Sequence, residues 1–408
     1  MSVSSQDRKS AYAAVIVAAL GYFVDVYDLI LFSIVRVASL KSLGVPEENL
    51  LSVGVFLLNC QMAGMLAGGL LWGVMGDKKG RLSVLFGSIF LYSAANIANG
   101  FVESIPVYAV LRFVAGVGLA GELGAGITLV SEMMPKETRG YATTIVATVG
   151  VAGAIAASMV GDMFDWRTAY FVGGGMGIAL LILRVMVHES GLFDALKRRE
   201  TKRGDLILLL KNRKRFLRYL CCIFVGLPTW YAVGILMTFA PEIGKALDVS
   251  PAPSAGDSIF YCYLGLVAGD FGSGILSQFL RSRKKVLGLF IFLSAVTSLV
   301  ILNAHGVTTS QFYIFSFLLG IAVGYWAVFV TTSAEQFGTN LRATVATTAP
   351  NFVRGSVVLV TSLFKSLTPS VGIIHSAMLA GALCVSLAFL SLLGMSESFS
   401  NDLDFLEE

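Results

Sequence analysis

The stretch GGLLWGVMGDKKGR, Gly68 to Arg81, decides how this chain is read. It starts as small, apolar helix surface and ends in Asp77, Lys78, Lys79, Gly80 and Arg81, directly before the uncharged interval Leu82 to Val102. One apolar helix ends at water and another begins, with a glycine that permits the tight bend between them. Similar uncharged intervals run over Gly140–Gly161, Tyr219–Pro241, Val286–Ala304, Gly306–Ala334 and Ser366–Ser396. Each can cross a hydrocarbon layer of roughly 30 Å at about 1.5 Å of helix per residue. One such interval could be a buried core helix, but their repetition excludes that.

Composition agrees. Of 408 residues 56% are hydrophobic and only 14% charged, too few charges to cover a soluble protein of this size. Twelve helical spans are expected, at 11–40, 48–75, 82–102, 104–131, 140–161, 167–188, 217–240, 258–280, 286–304, 308–334, 342–365 and 370–394. The expected fold class is an all-α polytopic membrane protein with two six-helix bundles. Residues 1–188 form the first bundle, 189–216 a basic cytoplasmic linker, 217–394 the second bundle and 395–408 an acidic tail. The N-terminal apolar stretch is too long for an ordinary signal peptide and reads as a retained first span.

An even number of spans puts both termini on one side, and the basic residues choose it. With the termini in the cytoplasm, 22 of the 30 Lys and Arg residues fall in cytoplasmic segments, and only Lys41, Arg167 and Lys245 in outer connections. That asymmetry places the chain in the inner membrane with both termini inside. Ten of the basic residues lie at 197–218; a linker beside anionic lipid accounts for them, and no nucleic-acid partner is expected. The five cysteines lack metal-ligand spacing, and His188, His305 and His375 are dispersed, so no metal or cofactor is expected. No nucleophile arrangement or phosphate cradle points to an enzyme.

A second short turn, SEMMPKETRG from Ser131 to Gly140, follows two spans after the first, and AEQFGTNLRA occupies the equivalent place in the second half. With these turns the chain resembles the major facilitator superfamily over nearly its whole length. The resemblance implies a cytosolic gate of charge networks, made here by Asp77 and Arg81, by Glu132 and Arg139, and by Glu335 and Arg342. The turn after span 8, QFLRSRKKVLG, carries Arg281 where the first half has Asp77, so an asymmetric gate is expected.

Charges also stand where the membrane should be dry, as such groups do when they face a bundle interior or an aqueous cavity. In GYFVDVYDLILF, Asp25 and Asp28 are three residues apart, on roughly one helix face, where two like charges disfavour joint ionisation. Arg112 and Glu122 in span 4 are about 15 Å apart along the helix and cannot pair with each other. Arg112 can pair with a span-1 aspartate, either to bind or merely to neutralise it. Arg354 in span 11 can meet an organic carboxylate, or Asp270 or Glu335 as a structural partner. The pattern Asp25-Val26-Tyr27-Asp28, with Arg112, Gly116, Gly121, Glu122 and Gly124, resembles the metabolite:proton symporters. That resemblance assigns proton coupling to Asp25, Asp28 and Glu122 and substrate contact to Arg112. Tyr27, Asn59, Gln61, Trp230, Tyr231, Tyr325 and Trp326 are candidate cavity residues, each also explicable as packing.

The expected function is proton-coupled transport of a small polar organic solute, an organic anion above all, by alternating access, with H+ as the coupling ion. Export by proton antiport, including export of a metal-chelating molecule, and a non-transporting sensor are the alternatives. Membrane lipid is the other partner, and one chain suffices for the cavity.

Overall fold

The computed structural model describes the backbone of residues 5–79, 81–122, 126, 130, 139–189, 209 and 211–399. Side chains are described there except at 5–14, 73, 74, 76–79, 81, 82, 139–141, 143, 144, 186–189, 339, 340 and 343. Among the described residues nine segments are long and apolar enough to cross a membrane, and two shorter apolar helices cover Ser83–Asn99 and Ile105–Leu119. The last of the nine, Thr344–Gly394, contains two spans, which brings the count among the described residues to twelve.

The first half comprises α1 (Ser5–Ser42), α2 (Leu50–Lys79), α3 (Arg81–Asn99), α4 (Ile105–Leu119), α5 (Arg139–Met163) and α6 (Trp166–Glu189). The second half opens with a broken span: α7 (Arg213–Val225), α8 (Leu227–Tyr231) and a π-helical turn over Ala232–Met237, followed by the short α9 (Ala240–Ala246). Then come α10 (Ala255–Phe279), α11 (Arg283–Leu302), α12 (Thr309–Val323), α13 (Trp326–Glu335) and α14 (Thr339–Gly394).

The seventh and tenth spans, expected as continuous helices, are interrupted, and the local sequence gives the reason. Pro228 withholds an amide donor just after Gly226, and Thr238 N–H reaches back five residues to Val233 O at 3.1 Å. The tenth span breaks at Gly324 and Tyr325, between α12 and α13. Within α14 the chain turns at Gly372, whose φ of +79° lies in the left-handed region that glycine tolerates, three residues after Pro369. The fourth span, expected to reach 131, has α4 ending at Leu119, and most of its remainder lies outside the described residues.

Small residues let these helices approach backbone to backbone. A side chain on Gly116 of α4 would collide with the Gln61 carbonyl of α2, and one on Gly320 of α12 with the Cys262 carbonyl of α10. The two halves meet where α2 packs on α14 and α5 on α10, with Ser158 Oγ donating to Gly256 O at 2.6 Å. Large apolar side chains such as Phe90, Phe279, Leu359 and Leu393 point outward, which suits a lipid-facing surface. The polar residues are turned inward: Asp25, Asp28, Arg36, Arg112, Glu122, Arg184 and Arg354 are all buried.

Candidate functional site between the two halves

Three residues on an α-helix turn through about 300°, so Asp25 and Asp28 point some 60° apart on α1. That difference separates their surroundings. Asp25 faces the second half, where its Oδ2 lies 3.6 Å from Arg354 Nη1 of α14. Arg354 Nη2 also makes a long 3.5 Å bond to the Tyr22 hydroxyl, and its guanidinium sits 5.8 Å from the centre of the Trp230 ring. Trp326, at the start of α13, meets Trp230 edge to face at 6.4 Å. Asp28 instead lies against Gly173 of α6, inside the first half. Among the described residues neither Asp25 oxygen has a hydrogen-bond partner, Asp28 has only the Asn96 amide, and Arg354 Nε and Nη1 are without one. The Asp25–Arg354 contact across the centre is therefore a long ion pair with spare bonding capacity on both sides.

The sequence allows Arg112 a span-1 aspartate as a partner. The arginine donates instead to Gln61 Oε1 and, at 3.4 Å, to the Tyr170 hydroxyl, with its guanidinium 4.9 Å from the Phe32 ring centre. Gln61 donates in turn to Leu29 O at 3.2 Å, and Tyr170 shares a 2.7 Å hydroxyl contact with Tyr108. Aromatic faces and neutral acceptors hold the cation within the first half. Glu122 pairs with Arg184 of α6, which also donates to Leu85 O at 3.3 Å. Arg184 has no role in the sequence reading, although a lone arginine in an apolar helix already demands a counter-charge.

Asp270 is not the partner of Arg354. Its Oδ1 accepts the Ala327 N–H at 3.1 Å and so caps the start of α13, where aligned peptide dipoles favour a negative charge. Glu335 is not the partner either, being occupied at the far end of α13. Tyr27, Tyr231 and Tyr325 spend their hydroxyls on the main-chain carbonyls of Ala169 (3.0 Å), Ala377 (2.9 Å) and Val225 (2.9 Å). Asn59 accepts from Thr361 Oγ1 at 2.5 Å and donates to Ser362 Oγ at 3.2 Å, joining α2 to α14. Among the candidate cavity residues, Trp230 stands beside Arg354, and Trp326 packs against the Trp230 ring.

At the end of the bundle that carries the α1–α2 connection, a second ion pair joins the halves. Buried Arg36 of α1 meets Glu242 of α9 at 2.7 Å and also donates to Leu50 O (3.3 Å) and Thr238 O (3.2 Å). Thr238 Oγ1 donates to Ser33 Oγ at 3.0 Å, and the Phe239 ring lies 4.6 Å from the Arg36 guanidinium. Sequence reasoning missed this contact because Arg36 and Glu242 are 206 residues apart in the chain.

At the opposite end, Glu132 and the side chains of Asp77, Arg81 and Arg139 lie outside the described residues. In the second half Glu335 pairs with Arg283 at 3.4 Å and accepts from Ser398 Oγ at 2.6 Å. Arg281, expected in this network, is exposed, at a turn where its φ is +48°, and Arg283 takes the contact with Glu335. Arg342 is half-buried nearby in sequence, at the start of α14. The tail takes part as well: Glu397 accepts from Ser282 Oγ and from the N–H groups of Arg283 (2.9 Å) and Lys284 (3.3 Å), capping α11. Burial acts to raise the Glu397 carboxyl, but these hydrogen bonds outweigh it and hold the group below its ordinary range. Among the described residues no three His, Cys, Asp or Glu side chains come together as a metal site.

A model of the Major Facilitator Superfamily matches residues 16–373 of this chain. The chain is 26% identical over 390 residues to the sialic acid transporter of Escherichia coli K12, covering 89% of this chain and 91% of that protein. It is 24% identical over 355 residues to the gentisate transporter of Corynebacterium glutamicum, covering 81% and 76%. The crystal structure of a D-xylose-proton symporter superposes with a TM-score of 0.70 at 16% identity, covering 96% of this chain and 99% of that one.

Proposed function

From the premise that this chain belongs to the Major Facilitator Superfamily, we propose that it is a proton-coupled transporter of small organic carboxylates working by alternating access in the inner membrane. The observation that carries this reading is the 3.6 Å Asp25–Arg354 pair between the two halves. A carboxylate is the natural ligand of a guanidinium, which can hold it through two parallel hydrogen bonds. While Asp25 is ionised it competes for that cation; once protonated it releases Arg354 to the substrate. Proton and substrate thus favour one another's binding, as linkage requires of a symporter. Trp230 and Trp326 supply apolar faces for the remainder of the solute. The sialic acid and gentisate transporters support the carboxylate class, since both of those solutes are carboxylates.

With both termini cytoplasmic, the Arg36–Glu242 end faces outward, and its bonds across the halves close that side. The arrangement then belongs to the part of the cycle in which outside access is shut. Opening would break these contacts and bring together the cytosolic turns that carry Asp77, Arg81, Glu132 and Arg139.

The test is uptake into proteoliposomes with independently imposed pH and voltage, using labelled benzoate, gentisate and N-acetylneuraminate. An inward proton gradient should drive accumulation of at least one of them with acidification of the lumen. Binding without uptake would identify a sensor, and uptake driven by an outward proton gradient an exporter; either result refutes the proposal.

A further inference from the structure

Asp28 does not stand alone inside the first half. α6 presents Gly173, Gly177 and Arg184 on one face, and their neighbours form a polar series. Gly173 lies against the Asp28 carboxylate, Gly177 against the Ser93 hydroxyl with the Tyr92 ring beside it, and Arg184 holds Glu122. On α1 the same register recurs, because Gly21, two turns before Asp28, lies against Glu122 and Arg184. On α3, Tyr92, Ser93 and Asn96 follow the seam, and Asn96 neighbours Asp28. From Gly173 to Arg184 the seam covers roughly 16 Å of helix.

Its side chains are 0 to 3% exposed, yet among the described residues the Tyr92 and Ser93 hydroxyls have no hydrogen-bond partner, and the Asp28 carboxylate and the Asn96 amide have only one another. Polar groups buried in this way are costly unless they bond to something, and a run of them can be bridged by water. A static packing role would be served better by apolar side chains of similar size.

We propose that this seam carries the coupling proton between Asp28 and the cytoplasmic end of α6, through the interior of the first bundle and apart from the substrate cavity. The inference rests on the proton-coupled reading above. A proton leaves the Asp28 carboxyl for a bridging water; the hydroxyl oxygen of Tyr92 or Ser93 accepts one proton as it gives up its own, so neither side chain keeps a charge. Glu122, close to the end of α6, takes the proton onward while Arg184 balances its charge. The charged groups around the path are Asp25 on the same helix and Arg112 of α4 at the Asp28 end, and Glu122 and Arg184 about Tyr92. Separating the two paths explains why Asp25 meets Arg354 while Asp28, one helical turn on, is turned away from it.

Tyr92→Phe and Ser93→Ala each remove one hydroxyl. In proteoliposomes each should slow benzoate, gentisate or N-acetylneuraminate uptake driven by a pH gradient at least tenfold, leaving equal-pH exchange of internal for external solute within about twofold, since exchange needs no net proton release. Gradient-driven uptake at the wild-type rate in both variants overturns the seam, as does equal loss of uptake and exchange, which would mark a structural role. Wild-type uptake indifferent to the pH gradient overturns the proton-coupled premise instead. A readout without substrate uses Ser93→Cys in a background lacking the native cysteines. The thiol should react with silver ion at a rate unchanged when Trp230→Cys is added and carries a bulky thiol reagent, which blocks the central cavity. An unreactive thiol, or one protected by the block, refutes a separate path.

Discussion

Replacing Asp25 by asparagine tests the centre of the mechanism. Two unit charges 3.6 Å apart attract by about 5 kcal/mol at an effective dielectric of ~20. Most of that is offset by the cost of burying both charges, so the pair itself is only modestly stabilising. The substitution nevertheless takes away the charge that an incoming carboxylate has to displace, while Arg354 keeps its positive charge and its Trp230 face. If as little as about 1.4 kcal/mol of the attraction opposes substrate binding, Kd for the carboxylate falls tenfold in Asp25→Asn. In the unmodified protein affinity should rise as pH falls, because protonating Asp25 has the same effect; in the variant this dependence should flatten. Calorimetric titration at two pH values with the carboxylate identified by uptake measures both effects. Proteoliposome uptake should lose its response to the pH gradient in parallel. Equal Kd values and equal pH dependence in the two proteins would refute the idea that Asp25 competes with substrate for Arg354.

Glu242→Gln leaves Arg36 buried with neutral acceptors only and should weaken the outer closure. Because Glu242 is partly exposed, the cost should be about 1–3 kcal/mol, less than for a fully buried pair, read as faster labelling of a single cysteine at position 33 by an external thiol reagent. Tyr231→Phe removes the hydroxyl that donates to Ala377 O and should cost about 1 kcal/mol of stability while leaving carboxylate affinity unchanged; a large affinity loss would return Tyr231 to the binding site. Glu397→Gln weakens the cap on α11 and should lower thermal stability by about 0.5–2 kcal/mol. Since the folded carboxyl titrates below its ordinary value, its contribution is present above the unfolded value of 4.5 and lost as pH falls through the folded one. The variant and the unmodified protein should therefore converge in melting temperature at acid pH.

The run of apolar spans and several of the buried charges can be read along the chain. Hydrocarbon thickness fixes how many uncharged residues a helix needs, and charged turns such as Asp77 to Arg81 mark its ends. Asp25, Asp28, Arg112, Glu122 and Arg354 were legible as unusual for the same local reason: a charge in an apolar helix is conspicuous without any neighbour. Partners were not legible, because pairing depends on the rotation of each helix about its axis and on contacts between residues hundreds of positions apart. Only the tertiary structure gave Glu122 to Arg184, Arg112 to Gln61, Asp25 to Arg354 and Arg36 to Glu242. It also turned Asp270 into a helix cap, because the break at Gly324 creates a helix start that no hydropathy pattern contains. Solvation energy, a property of each residue, can be read along the chain; the geometry that decides which charge meets which exists only once the helices are packed.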